Sequence, residues 1–213
     1  MTITFPGHSA PSVGFEVPLE MLAACHLRVQ DQCSTLLRLS PHIAAHGSDR
    51  PAREAATAVM RYFDTSARHH HDDEERDLFP ALIESMAGSD AVCLRELTAT
   101  LTAEHRELEA LWQALRAVLA QVAAGQTALL AQEDVSSFAQ LYERHIAREE
   151  SELLPMARRL LSNGELDRIG LVMRMRRAVP SAQARPCAKT PELSTGTAND
   201  STSSTASASP GSS

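Results

Sequence analysis

Apolar side chains recur at intervals of three and four residues along four long segments of the chain, the spacing of one face of an α-helix. The first segment covers residues 19–39, with Pro18 in its first turn. Its inward positions are Leu22, His26, Val29, Cys33 and Leu36. Pro41 and Gly47 interrupt the pattern, so we expect this helix to end near Ser40.

Three further helices follow with the same spacing. Asp49 and Pro51 open the second, which runs to about Met86 before Gly88, Ser89 and Asp90; the third covers about Asp90 to Ala124 before Gly125; the fourth begins near Asp134. The second stripe is Met60, Phe63, Ala67, His70, Glu74, Leu78 and Ala81. The third is Leu94, Leu97, Leu101, His105, Leu108, Trp112, Leu115 and Leu119, and the fourth is Phe138, Leu141, His145, Glu149, Met156 and Leu160.

The flanking segments carry weaker patterns. Residues 1–17 hold two prolines and two glycines and are expected to form an irregular arm. Residues 163–178 predict a short accessory helix, from Glu165 to about Arg177, that either packs on the domain or floats. Its basic run of Arg174, Arg176 and Arg177 is interpreted as a solvated helix end. Residues 179–213 are mostly Ser, Thr, Ala and Pro and are expected to be disordered.

Composition agrees with one all-α domain. The 213-residue chain is rich in Ala, Leu, Glu and Arg, and only 4% of it is aromatic. Its net charge of −7 argues against a nucleic-acid partner. We find no apolar run long enough for a membrane span and no secretory signal. The scattered cysteines, Cys25, Cys33, Cys93 and Cys187, are expected to be reduced thiols in a cytoplasmic protein.

One chemical unit occurs twice. The stretches His70–Pro80 and His145–Pro155 align without a gap as His-x-x-x-Glu-Glu-x-x-Leu-(Phe/Leu)-Pro. Residues four apart share a helix face, so His70 with Glu74 and His145 with Glu149 each present an imidazole beside a carboxylate. His26 and His105 precede the two units by 44 and 40 residues, which suggests a pseudo-twofold bundle around a shared centre.

Each of these residues, taken alone, is compatible with a purely structural role, because a lone histidine on an apolar stripe is usually a core residue. A single His-x-x-x-Glu is also a common surface pair. Their coincidence favours a metal, since burying two carboxylates without partners would cost several kcal/mol each. The predicted ligands are His26, His70, Glu74, His105, His145 and Glu149.

The register within His69-His70-His71 needs a choice, because each residue turns the helix by about 100°. Alignment on the two prolines selects His70 and leaves His71 as a flanking group and secondary ligand candidate. Asp72 and Asp73 are expected to form an exposed face. Glu75 and Glu150, which follow the predicted ligands, are expected to be solvated or to lie just behind them.

Glu109 is the other secondary candidate, because it lies four residues after His105. It is either a ligand that completes a second iron site or a salt-bridging residue at the edge of the stripe, and we favour the latter. Tyr142, one turn before His145, is expected to pack rather than to bind in the site.

The donor set indicates which metal would bind. Four imidazoles and two carboxylates exceed a tetrahedral zinc site and are too rich in nitrogen for calcium or magnesium. Bridging carboxylates flanked by imidazoles suit two iron ions, with manganese possible. Ferritin-like di-iron proteins use Glu-x-x-His and more carboxylates. The histidine-rich set found here is better suited to reversible binding of a diatomic ligand than to high-valent oxidation.

At these residues the chain resembles the hemerythrin-like family of HHE cation-binding domain proteins, over about residues 18–162. The resemblance implies an up-down-up-down four-helix bundle around a non-haem di-iron centre. It also implies that Glu74 and Glu149 bridge the irons and that the four histidines bind them terminally.

The chain departs from the oxygen-carrying members at one position. Those proteins have a second histidine one turn after the first on helix three, where this chain has Glu109. One fewer imidazole argues against stable reversible oxygen carriage and points to the bacterial and iron-sensing members of the family, for which oxygen, nitric oxide or iron sensing and iron handling are the implied roles. We expect a protein that binds or senses oxygen or nitric oxide. Iron donation for iron–sulfur cluster repair and a di-iron peroxide reductase or oxidase remain as alternatives, an enzyme being the less favoured. No output domain is visible, so a sensor would signal through an unidentified protein partner.

Overall fold

Helices make up all the regular structure in the parts of the chain that the computed structural model describes, residues 14–85 and 90–178. The α-helices are α1 (Pro18–His46), α2 (Arg50–Tyr62), α3 (Arg68–Asp73), α4 (Phe79–Ser85), α5 (Asp90–Ala123), α6 (Gln132–Arg148), α7 (Leu154–Leu160) and α8 (Asn163–Ala178). Three single π-helical turns join some of them, at Phe63–Ala67, Glu74–Leu78 and Glu149–Leu153. The all-α prediction is confirmed.

These segments form four rods. The first rod is α1, the second covers residues 50–85, the third is α5, and the fourth covers residues 132–160. The first and third rods each pack against both the second and the fourth. Because the first and third rods both pack against the second and the fourth, the four rods surround one interior.

That interior has a polar layer between two apolar clusters. The first cluster includes Leu36, Val59, Trp112 and Phe138, and the second includes Leu22, Leu78, Leu101 and Leu153. Along each rod, the predicted metal-binding side chains fall where one cluster gives way to the other. In the third rod, for example, His105 lies between Leu101 of the second cluster and Leu108 of the first. The fold therefore withdraws this layer from water on both sides.

The first rod is longer than its sequence predicts. The expected end near Ser40 is wrong, because the helix continues through Pro41 to His46. A proline removes one backbone hydrogen bond from a helix, and here tertiary contacts hold the turn that follows. The Ser40 hydroxyl donates to the carbonyl of Leu130 (2.8 Å), and Ile43 is buried. Gly47 ends the rod with φ of 68°, a conformation suited to glycine.

The second rod begins as expected, since the Asp49 carboxylate accepts a hydrogen bond from the backbone N–H of Ala52 at 2.9 Å. Its continuous helical pattern did not reveal the two π turns. The predicted boundary at Met86 to Ser89 lies outside the described residues. The third rod begins at Asp90 and ends at Ala123, and Gly125 follows it with φ of 75°, as the pattern indicated.

In the fourth rod a π turn shifts the buried face. The rod starts at Gln132, and its predicted inward residues Met156 and Leu160 are only partly buried. The residues buried instead are Leu153, Leu154, Ala157 and Leu161. One extra residue in the turn Glu149–Leu153 displaces the inward positions after it by about one place.

The accessory helix α8 packs on the domain. Ser162 and Glu165 cap its start through mutual backbone and side-chain hydrogen bonds. Ile169 and Met173 are buried in the second cluster. The expected irregular arm is described only from residue 14. The predicted disordered tail, residues 179–213, lies outside the described residues.

Two expectations about charged residues are wrong. Asp73 is fully buried, and the partly buried Arg176 and Arg177 bind it from α8. The sequence left the position of α8 open, so this pairing was not visible in it.

Within the described residues, helices that combine the length and the hydropathy needed to cross a membrane are absent.

Candidate metal centre

The six predicted ligands meet in two overlapping groups. The first donor group is His26, His70, Glu74 and Glu149; the second donor group is Glu74, His105, His145 and Glu149. In each group one ligand atom per residue lies within 4.8 Å of all the others. All six residues are at most 2% exposed, and the two glutamates belong to both groups.

Each glutamate directs one oxygen toward each donor group. Glu149 Oε2 lies 3.0 Å from His26 Nε2, and its Oε1 lies 3.0 Å from His145 Nε2. Glu74 Oε1 lies 3.4 Å from His70 Nε2, and its Oε2 lies 3.4 Å from His105 Nε2. This arrangement is the one that two carboxylates bridging a pair of cations would need.

The four carboxylate oxygens are buried and, among the described residues, none accepts a hydrogen bond with acceptable geometry. Leaving such groups unsatisfied is costly, because they lose water and gain no partner. Four imidazoles with two carboxylates form a donor set suited to iron or manganese. The residues present therefore fit a pair of such cations.

A π turn begins at each of these glutamates. The N–H of Phe79 bonds to the carbonyl of Glu74, and the N–H of Leu154 bonds to the carbonyl of Glu149, both five residues back. Pro80 and Pro155 follow one residue later, and neither has an N–H to bond to the carbonyl four residues back. The sequence repeat therefore has a structural counterpart in the backbone.

Outer carboxylates orient three of the histidines through Nδ1. Glu75 lies 2.8 Å from His105 Nδ1, and Glu150 lies 3.0 Å from His26 Nδ1. Both glutamates therefore lie just behind the predicted ligands. The sequence analysis left two positions open for them, solvated or behind the ligands, and the structure has the second. Such contacts fix the tautomer and direction of a metal-binding ring.

Glu104 is the third outer carboxylate, 2.9 Å from His145 Nδ1. The sequence analysis missed it, because nothing in the repeated unit marks this position. Arg148 binds Glu104 and Arg106 binds Glu75, so both outer carboxylates are themselves held by a guanidinium.

His70 breaks this pattern, since its buried Nδ1 has no hydrogen-bond partner among the described residues. Cys25 precedes His26 as Glu104 precedes His105. Burial raises the pKa of the Cys25 thiol. Cys25 is therefore a neutral thiol at the sequence position that corresponds to Glu104, the carboxylate that orients His145.

Electrostatics divide the two central glutamates. Burial, together with the neighbouring Glu149 charge, raises the pKa of Glu74 well above its usual range. Burial also acts to raise the pKa of Glu149, but the His145 and His26 rings, each with Nε2 at 3.0 Å from one of its oxygens, outweigh it and hold that pKa well below the usual range. Burial lowers the pKa of His70 far enough to keep its ring neutral, the form that binds metals.

The two secondary candidates differ in placement. His71 stacks on His105 with ring centroids 3.9 Å apart and groups with His105 and His145, and its buried Nε2 has no partner in the described structure. Glu109 belongs to none of the groups found there and accepts a hydrogen bond from Gln113 at 2.7 Å. Tyr142 is buried against Phe138 and Phe63.

Replacing Glu74 with leucine tests the cost of the buried carboxylates. In the presence of a chelator, Glu74→Leu is expected to raise the free energy of unfolding by about 1–3 kcal/mol, because it removes an unsatisfied polar group from the interior. Urea unfolding followed by circular dichroism measures the change. Glu75→Leu is the matched control and should be destabilising, since Glu75 is bound by His105 and Arg106. A less stable Glu74→Leu variant would contradict this account.

Comparisons with known proteins agree with the geometry. A protein of Haemophilus influenzae, described only as uncharacterized, is 35% identical over 162 residues, which cover 76% of this chain and 91% of the relative. The family model of the hemerythrin HHE cation binding domain matches residues 17–157, which include both copies of the repeated unit and the histidines that precede them. The chain therefore belongs to the hemerythrin HHE cation-binding domain family.

Proposed function

We propose that the chain holds two iron ions, one in each donor group. His26 and His70 would bind the first ion and His105 and His145 the second, while Glu74 and Glu149 would bridge them. The observation that carries this proposal is that each buried glutamate directs one unpartnered oxygen toward each group. The same donors would also accept manganese.

His71 would complete the second donor group as a third imidazole. Its support is the unpartnered buried Nε2 and its place beside His105 and His145. Glu109, which occupies the position of a histidine in the oxygen carriers, would remain outside the donor set. A histidine from the second rod would thus compensate for the one missing from the third.

The rods would run up, down, up and down around this centre. Short connections favour antiparallel neighbours in helix bundles. The turns after α1 and α5 are short, and each rod packs on the rod that follows it in sequence.

The function that this centre supports best is binding or sensing of oxygen or nitric oxide. Iron, when bound, supplies the electrons and the free coordination position that such a ligand requires. The chain would hold the imidazoles with Glu75, Glu104 and Glu150 and would exclude bulk water with its two apolar clusters. A cytoplasmic location would suit the free thiols of the described cysteines, Cys25, Cys33 and Cys93.

A surface opening supports a second candidate function, iron donation. It measures about 310 Å³ and is lined by His71 and His105 together with Arg68, Arg106 and Glu109. The opening would give a small ligand or a competing chelator an approach to the second donor group. Gas binding and iron transfer differ in whether the iron stays.

Iron content tests the ligand assignment. Protein purified without oxygen is expected to contain two irons per chain, and His70→Ala or Glu149→Ala is expected to lose most of them while keeping its helical circular dichroism. His69→Ala, at the half-buried neighbouring position, is the matched control and should keep both. Unchanged iron in both ligand variants would refute the assignment.

The role of His71 can be separated from that of Glu109. Removing one of three imidazoles weakens the second donor group alone, so the iron content of His71→Ala should fall toward one per chain. Glu109→Gln should keep two irons. Elemental analysis after gel filtration measures both variants, and a His71→Ala protein with two tightly held irons would exclude His71 as a ligand.

Optical spectroscopy tests the function itself. Reduced, iron-loaded protein is expected to develop new absorption bands on exposure to oxygen or nitric oxide while retaining its iron. Rapid iron loss to a competing chelator, without gas-dependent bands, would instead favour iron donation. Sustained consumption of added peroxide would contradict a binding protein and indicate an enzyme.

A further inference from the structure

A cluster of charged residues joins the accessory helix α8 to the rod that carries Glu74. Arg176 and Arg177 both bind Asp73, whose side chain is fully buried, and the Arg177 contact measures 2.6 Å. Arg176 also binds Asp77 at 2.5 Å. Asp73 directly precedes Glu74, and Asp77 lies within the π turn that Glu74 begins. The two arginines therefore bind side chains on both sides of a central glutamate.

Apolar contacts and a strap hold α8 in the same place. Ile169 and Met173 share the second cluster with Leu78 of the Glu74 turn. Residues 14–17 pass so close to α8 that a Cβ at Gly170 would lie 2.0 Å from the carbonyl oxygen of Phe15. Substitution of Gly170 would therefore push this strap and α8 apart without altering any charge.

Within the described residues, the other copy of the repeated unit lacks a matching pair of arginine contacts. Aligned on the repeat, Asp73 corresponds to Arg148, which binds Glu104 of the third rod, and Asp77 corresponds to Glu152, which is exposed. The contacts of Arg176 and Arg177 are thus specific to the surroundings of Glu74 and are not part of the repeat.

We propose that Arg176 and Arg177 are positioning residues for the metal centre, and that docking of α8 is thermodynamically linked to metal occupancy. This inference rests on the proposed function. Adjacent helical residues point about 100° apart, so a guanidinium grip on Asp73 fixes the rotation of the rod and with it the direction of Glu74. A π turn is an irregular helical turn that depends on its surroundings for this direction.

Linkage makes the effect reciprocal. If docked α8 tightens metal binding, bound metal tightens the docking of α8 by the same factor. Loss of metal would then loosen α8 and uncover Ile169 and Met173. The state of a buried centre would reach the surface by this route.

The double variant Arg176→Ala/Arg177→Ala tests the proposal, with Arg168→Ala as the matched control. Arg168 lies on the same helix and is exposed. In equilibrium competition with a chelator, the double variant should bind iron about 5- to 150-fold more weakly than the wild type, the usual range of such coupling, and the control should not. By hydrogen exchange, the amides of α8 should exchange faster in the double variant, and faster in wild-type protein after metal removal.

Gly170→Ala provides an independent arm that leaves both arginines in place. It should also speed exchange in α8 and weaken iron binding, while Gly164→Ala, where a Cβ meets nothing within 4 Å, should do neither. Fast exchange in α8 with wild-type iron affinity would overturn the inference and leave the proposed function intact. Failure of the wild type to take up iron would instead overturn the proposed function.

Discussion

Burial of two carboxylates is the constraint on which the rest of this structure depends. Glu74 and Glu149 lie in a layer closed above and below by apolar clusters, so water cannot satisfy them. Four histidines surround them, and the outer glutamates and arginines in turn hold three of these rings. A layer this polar gains stability when cations bridge its centre, which is why the donor chemistry and the fold lead to the same proposal.

The two halves of the chain use one unit with different surroundings. In both, a proline six residues after the glutamate accompanies a π turn that begins at that glutamate. The halves differ in what lies behind the donors. Glu104 orients His145, whereas Cys25 holds the corresponding sequence position and His70 Nδ1 is left without a partner. A third imidazole, that of His71, lies only on the second side. Two unequal metal positions would follow, the second with one more imidazole than the first.

Side chains outside the repeated unit complete the centre in a way that its motif does not specify. Arg176 and Arg177 come from a helix beyond the residues that the family model matches, yet they bind Asp73 next to Glu74. The accessory helix is therefore part of the environment of the site, and the proposed linkage gives it a role in reporting the state of the centre.

The sequence by itself determined the helical class, the four stripes and the six residues that meet in the interior, because helical periodicity places His26, His70, His105 and His145 on core-facing stripes. It also placed Glu75 and Glu150 among the candidates for the layer behind them. Only the tertiary structure decided the rest. Whether α1 continues past Pro41 depended on Ser40 and Ile43 finding partners on other segments. The shift from Met156 to Ala157 depended on a π turn, and the roles of Glu104, His71 and Asp73 depended on neighbours from other helices. Local spacing specifies which face a residue takes, but contacts between distant segments specify what that face meets.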